Sequence, residues 1–195
     1  DRALQNPHLI GGDSYCAFPG WGKILVMIDH DGDEVYQPML IPLEGGYPQP
    51  AFDNFFQGYR VHLGSAEIET GDVYLFAESQ AEPMNLTYRG SLASGELTLL
   101  GKSMYGYFPA SHTPDHRKTA LIEGYTVGDN VVYLQEQGKE QFTLLYGTPM
   151  EQRTPGQQVP LNGIRLLLGK AANPLRNFHL RNQFGCRSQG ENRGN

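Results

Sequence analysis

Short runs of β-branched and aromatic residues, spaced by turn-forming residues, dominate the chain. Lys23 to His30 (KILVMIDH) reads as a buried strand, and Asp31-Gly32 is a two-residue hairpin signal. Glu34 to Leu43 would be the return strand, pushed to a sheet edge by Pro38 and Pro42. Arg60 to Leu63 and Asp72 to Ala77 read as strands. Leu86 to Arg89 and Glu96 to Leu100 form a hairpin turned at Ala93-Ser94-Gly95. Thr119 to Tyr125, Asn130 to Gln135 and Gln141 to Tyr146 make a meander, with turns at Val127-Gly128-Asp129 and Gln137-Gly138-Lys139. Ile164 to Leu168 is a further strand. Helix signals are confined to Ala51 to Gln57 and to Pro174 to Phe184, where Pro174 suits a first helical position. Roughly ten short strands at this spacing predict an all-β fold. The expected architecture is an antiparallel β-sandwich or jelly-roll-like barrel with one or two short helices. Thr148 to Pro160 is the clearest loop, a long connection within one domain rather than a linker.

Composition refines this picture. At 195 residues the chain suits one domain, 1–195, better than two. Gly (24) and Pro (13) are abundant enough for a fold with many turns. No apolar run approaches the roughly 18 to 20 residues that span a bilayer. Asp1 to Pro7 lacks the charged-then-apolar pattern of a signal peptide. Cys16 and Cys186 are the two cysteines, near opposite ends and in no metal-ligand spacing, so they read as a disulfide. That pairing, with few lysines, predicts a secreted, periplasmic or cell-surface protein. The net charge is -6, and residues 1–100 carry 14 acids against 4 Lys/Arg. Such an acidic half excludes a nucleic-acid footprint over the whole domain. The C-terminal part is basic, with Arg165, Lys170, Arg176, Arg181, Arg187 and Arg193, and reads as a solvated segment.

Two segments invite a metal reading. Asp29, Asp31 and Asp33 alternate around Gly32, as in the start of a calcium loop. The glycine is early for an EF-hand, and Leu40 stands where the distal glutamate belongs, so a polar hairpin tip is the simpler reading. No cofactor is otherwise expected. His112 and His116 are four apart, a zinc spacing on a helix, but Pro114 between them favours a loop. A third ligand such as His62 or His179 has no support in spacing. In a loop, Asp115 and His116 would bond backbone groups.

Aromatic residues crowd two Gly/Pro-rich stretches. Tyr47, Phe52, Phe55, Phe56 and Tyr59 lie with Asp53 in one, and Tyr105, Tyr107 and Phe108 precede His112 in the other. Rings on loops with polar neighbours can stack on a sugar and bind its hydroxyls; the alternative is core filling. The ligand-binding candidates are therefore Tyr47, Phe52, Asp53, Phe56, Tyr59, Tyr105, Tyr107 and His112. There is no G-x-S-x-G, H-E-x-x-H or P-loop. Glu67 and Glu69 would alternate on one strand face and are the first carboxylate pair to test for hydrolase chemistry. Asn85-Leu86-Thr87 is a glycosylation sequon.

In these features the chain is similar to the receptor-binding domains of bacterial surface adhesins, a compositional likeness that carries no motif. It implies a binding module whose partner is a glycan or a host or cell-surface receptor, with no nucleic acid and no membrane span. The alternatives are an extracytoplasmic hydrolase or lyase acting on a polysaccharide or cell-wall polymer, and a structural or assembly protein whose basic tail and edge strands contact a partner chain.

Overall fold

A computed structural model describes residues 12–126 and 128–156. Cys186, the strand expected at Ile164 to Leu168, the helix expected at Pro174 to Phe184, His179 and the basic tail all lie outside the described residues.

Among the described residues the strands are all antiparallel, in three four-stranded sheets packed together. Sheet one holds β1 (Gly12–Phe18), β2 (Lys23–Ile28), β3 (Gln37–Pro42) and β4 (Gln49–Asn54). Sheet two holds β5 (Tyr59–Ala66), β6 (Asp72–Ser79), β7 (Asn85–Ser91) and β8 (Leu97–Ser103). Sheet three holds β9 (Tyr107–His112), β10 (Lys118–Thr126), β11 (Asp129–Glu136) and β12 (Thr143–Tyr146). Within each sheet every strand pairs with its neighbours in sequence, so each sheet is a meander and no described strand crosses between sheets. The all-β antiparallel class follows from the pattern as expected, with the sheets stacked in a sandwich-like manner. The described helices are single 3-10 turns, Pro19–Trp21 and Met150–Gln152.

The core explains the stacking. Cys16 and Phe18 of β1, Leu25 and Met27 of β2, and Phe52 of β4 face sheet two. They meet Val61, Val73, Leu75, Ala77 and Tyr88, with Phe56 from the β4–β5 turn. Because side chains alternate along a strand, Val26 and Ile28 point the other way, where they form a second cluster with Ile41. A strand apolar on both faces reads as the continuous run KILVMI rather than as an alternation.

Three sequence expectations need correction. Strand β3 is interior, between β2 and β4, not at an edge. Leu43 N–H donates to Gly22 C=O at 2.8 Å, which turns the odd-numbered N–H groups of β3 toward β2. Pro38 and Pro42 therefore lack a donor only on the β4 side, where the ladder shortens to Met39–Pro50 and Leu40–Gln49. Ala51 to Gln57 is not helical: β4 runs through Asn54, and tight turns follow, with Phe55 N–H on Phe52 C=O and Gln57 N–H on Asn54 C=O. Glu67 and Glu69 do not share a strand face. They sit in the β5–β6 turn, after β5 has ended at Ala66.

Candidate functional site

The seam between sheets two and three is polar at one end. Tyr74 projects from β6 toward sheet three, on the face opposite Val73 and Leu75. Its ring stacks on His112 of β9 with centroids 4.4 Å apart and planes 13° from parallel. His112 stacks in turn on His116, 4.9 Å away at 20°. Glu67 and Asp72, at the two ends of the β5–β6 turn, complete the group. His112 Nε2 lies 3.5 Å from Glu67 Oε1. His116 Nε2 lies 3.7 Å from Glu67 Oε2 and 3.5 Å from Asp72 Oδ2.

Local chemistry shapes both turns. In the β9–β10 hairpin, Thr113 Oγ1 donates to Asp115 Oδ1, which also accepts from Arg117 N–H at 3.1 Å. His116 N–H donates to Thr113 C=O at 2.8 Å. The tightened loop holds His116 at a φ of 55°, a left-handed conformation that His tolerates better than most residues. This is the loop that Pro114 predicts, and Asp115 bonds backbone as expected. His116 does not use its ring on the backbone: its Nδ1 is 2.8 Å from the Tyr74 hydroxyl. In the β5–β6 turn, Glu67 N–H donates to Asp72 C=O and Gly71 N–H to Glu67 C=O, both at 2.8 Å. Gly71 takes a φ of 73° there, and the Trp21 ring lies over it. Gly64 lets the seam close, because a Cβ at that position would stand 2.8 Å from Pro109 Cγ on β9.

The site is half enclosed. The side chains of His112 and His116 are 15% and 12% exposed, and Glu67 reaches water at 34%. Burial pushes the His112 imidazole below its ordinary pKa, against the opposing pull of the Thr113 carbonyl and Glu67. Burial also raises the Tyr74 hydroxyl well above the usual phenol range. At neutral pH both groups are thus neutral and able to donate or accept a hydrogen bond.

Farther along the seam, Glu123 is a buried carboxylate with its oxygens satisfied. Ser103 Oγ donates to Oε1, and the Tyr125 and Tyr133 hydroxyls donate to Oε2 at 2.8 and 3.4 Å. Tyr107 packs edge-on against Tyr133 and Phe142, and burial followed by the charge of Glu123 pushes its hydroxyl up to about 12. Arg153 closes this end with a bidentate pair to Asp129 at 2.7 and 2.8 Å and a guanidinium 4.5 Å above the Tyr125 ring.

The predicted ligand residues are scattered. Phe52 and Phe56 fill the core between sheets one and two. Tyr59 packs against that core, and Tyr107 lies in the seam. Tyr47 and Tyr105 are exposed, at 69% and 42%, and Asp53 is exposed with a φ of 49°. Of the eight, only His112 enters the polar cluster. Asp29, Asp31 and Asp33 serve their own hairpin. Asp33 Oδ1 accepts from Val35 and His30 N–H, Asp29 Oδ2 accepts from Glu34 N–H, and Asp31 pairs with His30. Asp31 and Gly32, at φ of 54° and 75°, adopt the left-handed pair that the Asp-Gly signal predicts. Among the described residues no group of three or more His, Cys, Asp or Glu side chains could hold a metal ion. The sequon lies within β7, where Thr87 is buried and Asn85 Nδ2 donates to Met104 C=O at 3.0 Å.

Tyr74, Asp72 and the pairing of Glu67 with both histidines are absent from the sequence reading. Tyr74 sits in an ordinary strand run (DVYLFA), and its partners are some 40 residues away. The one available signal was period two, which puts Tyr74 opposite Val73 and Leu75.

No protein-family model and no curated protein sequence matches the chain. Among solved structures it is similar to one from a structural and mechanistic study of two prolyl endopeptidases and the role of their inter-domain dynamics. That match has 18% identity and a TM-score of 0.43, and it covers 70% of this chain. The chain spans 23% of the matched structure's length. Among the described residues, no helix is long and apolar enough to cross a membrane.

Proposed function

We propose that this is a ligand-binding β-domain whose seat is the open end of the seam between sheets two and three, and that its ligand is rich in hydroxyl groups, a glycan chain being the first candidate. The observation that supports this is the convergence of Glu67 and Asp72 on the stacked Tyr74, His112 and His116 rings. Carboxylates accept hydrogen bonds from sugar hydroxyls, and a neutral imidazole can donate or accept. A floor fixed by stacking loses little side-chain entropy on binding. Pairing of Cys16, which is wholly buried in β1, with Cys186 would suit an extracytoplasmic setting.

Glycan-array screening followed by calorimetry on the best hit tests the proposal. Glu67→Gln, Asp72→Asn and His116→Ala are each expected to lose tenfold or more in affinity, and Tyr47→Ala to change little. If all three cluster variants bind as well as wild type, the seat is elsewhere, and Tyr47 and Tyr105 become the residues to test.

A second reading, acid–base catalysis on a polysaccharide, draws on the chain from the Tyr74 hydroxyl through His116 to Asp72 and Glu67. Turnover of a polymer that disappears in Glu67→Gln would favour it over simple binding. Binding without turnover across a polymer panel would remove it.

A further inference from the structure

We propose that the seam between sheets two and three carries an acid-sensitive latch: mild acid places a proton on His112, and the β9–β10 turn then lets go of β6 and of the β5–β6 turn. The latch needs no ligand, and its test is separate from that of the glycan.

Thr113 to Arg117, the β9–β10 turn, is bonded within itself through Thr113, Asp115 and the Lys118 N–H. Among the described residues, the hydrogen bonds, ion pairs and ring contacts that join this turn and His112 to sheet two run through two imidazoles. His112 is the middle ring of a stack, 4.4 Å from Tyr74 on one side and 4.9 Å from His116 on the other. His116 Nδ1 accepts from the Tyr74 hydroxyl at 2.8 Å, and its Nε2–H turns toward Glu67 and Asp72. The far end of the seam is held differently. Ser103 and two tyrosine hydroxyls bond Glu123 there, and Thr87 Oγ1 donates to Tyr107 C=O. Histidine takes no part in those bonds, so a change of imidazole charge acts at one end of the seam alone.

A charge is hard to place on the middle ring. His112 Nδ1 lies 3.2 Å from the Thr113 carbonyl oxygen, which can only accept, so a further proton goes to Nε2. Burial opposes the cation and holds the imidazole below its ordinary pKa; the Thr113 carbonyl and the carboxylates of Glu67 and Asp72 pull the other way, and His116 adds to the opposition. Those groups face His112 from the β5–β6 turn, from β6 and from its own turn. On β7, Arg89 is in register with Tyr74 and adds positive charge on that side. Asp115 and Arg117 pair with each other at the exposed tip. An imidazole whose folded pKa lies below its unfolded value, about 6.5, gives stability that is present above that value and lost as pH falls. Each pH unit between the two values is up to about tenfold in the opening equilibrium. Because the turn is bonded within itself, it can swing out intact and let water solvate the charged ring.

The test is urea unfolding of the whole chain at about pH 7.5 and about pH 5.5, a range in which histidine alone among unperturbed side chains titrates. Hydrogen exchange, corrected for its intrinsic pH dependence, locates the change. The wild-type urea midpoint should fall in acid. Exchange should rise in the peptide from Tyr107 to Lys118 and stay unchanged in that from Lys23 to Ile28. His112→Phe keeps a ring on Tyr74 and cannot titrate, so its midpoint should fall by less than half as much. His112→Gln serves the same purpose if the Phe variant does not fold. His62→Gln, outside the cluster, should follow wild type. A wild-type midpoint equal at the two pH values, a non-titrating variant that falls as far as wild type, or exchange that rises evenly over the three sheets overturns the inference. Acid opening in a protein that recognises no glycan supports the latch and sinks the proposed ligand alone.

Discussion

Substituting Gly71 by alanine tests how the carboxylates of the seat are held. Gly71 lies in the turn between Glu67 and Asp72, and two separable costs meet there. Its φ of 73° is left-handed, a conformation that costs an L-residue about 1 to 2 kcal/mol. A Cβ built on Gly71 would also stand 1.9 Å from Trp21 Cη2 and 2.4 Å from Cζ3. The closer of these is ~1.6 Å inside ordinary carbon–carbon contact. Relieving such an overlap typically costs about 1 to 3 kcal/mol. Gly95 supplies the control, because its φ is 74° but nothing lies within 4 Å of the added carbon. Both alanines reduce the freedom of the unfolded chain alike, so that contribution cancels between them. Gly71→Ala should therefore be less stable than Gly95→Ala by about 1 to 3 kcal/mol in urea unfolding. In a domain of this size each kcal/mol lowers Tm by about 2 to 4 °C. Trp21 is the only tryptophan, so its fluorescence reports the displaced ring directly. The emission should shift in Gly71→Ala and stay unchanged in Gly95→Ala. Equal stabilities with identical emission would refute the packing of Trp21 over this turn.

Other substitutions reach the core, the clasp and the far end of the seam. Phe56→Ala should cost about 3 to 5 kcal/mol in chemical denaturation, whereas Tyr47→Ala should stay within roughly 0.5 kcal/mol; similar values would mean that Phe56 is not core. If Cys16 and Cys186 are joined, the loop they close contains most of the chain, and reduction should cost on the order of 4 to 5 kcal/mol by the loop-entropy model; an unchanged melting temperature under reductant rejects the pairing. The hydrogen bonds and charge of Arg153 hold the Asp129 carboxyl below its ordinary pKa. A folded-state pKa below the unfolded one gives stability that is present above the unfolded value, about 3.9, and lost as pH falls through the folded one. Asp129→Asn should therefore lower stability at neutral pH and flatten its fall between about pH 4 and lower pH; an acid-unfolding profile parallel to wild type would count against the pair.

How much of this was legible beforehand follows physical lines. Runs such as KILVMI and DVYLFA, with Asp31-Gly32, Gly95, Gly128 and Gly138 between strands, announce antiparallel hairpins, because period and turn chemistry are local. Strands β1, β4 and β9 were missed, the last two since their prolines and crowded aromatics resemble loops. Only the sheet shows that β9 carries Pro109 beside Gly64, a contact between strands far apart in the chain. The same limit governed the rings. Phe52, Phe56 and Tyr47 look equivalent in a Gly/Pro-rich stretch, yet packing buries the first two and exposes the third.

The sequence by itself determined the all-β class, most hairpins and the loop character of the segment around Pro114. It also named Glu67, His112 and His116, though in separate arguments. Only the tertiary structure decided that these three belong together with Tyr74 and Asp72. Their meeting depends on how sheet two stacks on sheet three. That stacking is set by side chains from distant strands, Tyr74 on His112 and Pro109 on Gly64, and no local period encodes it.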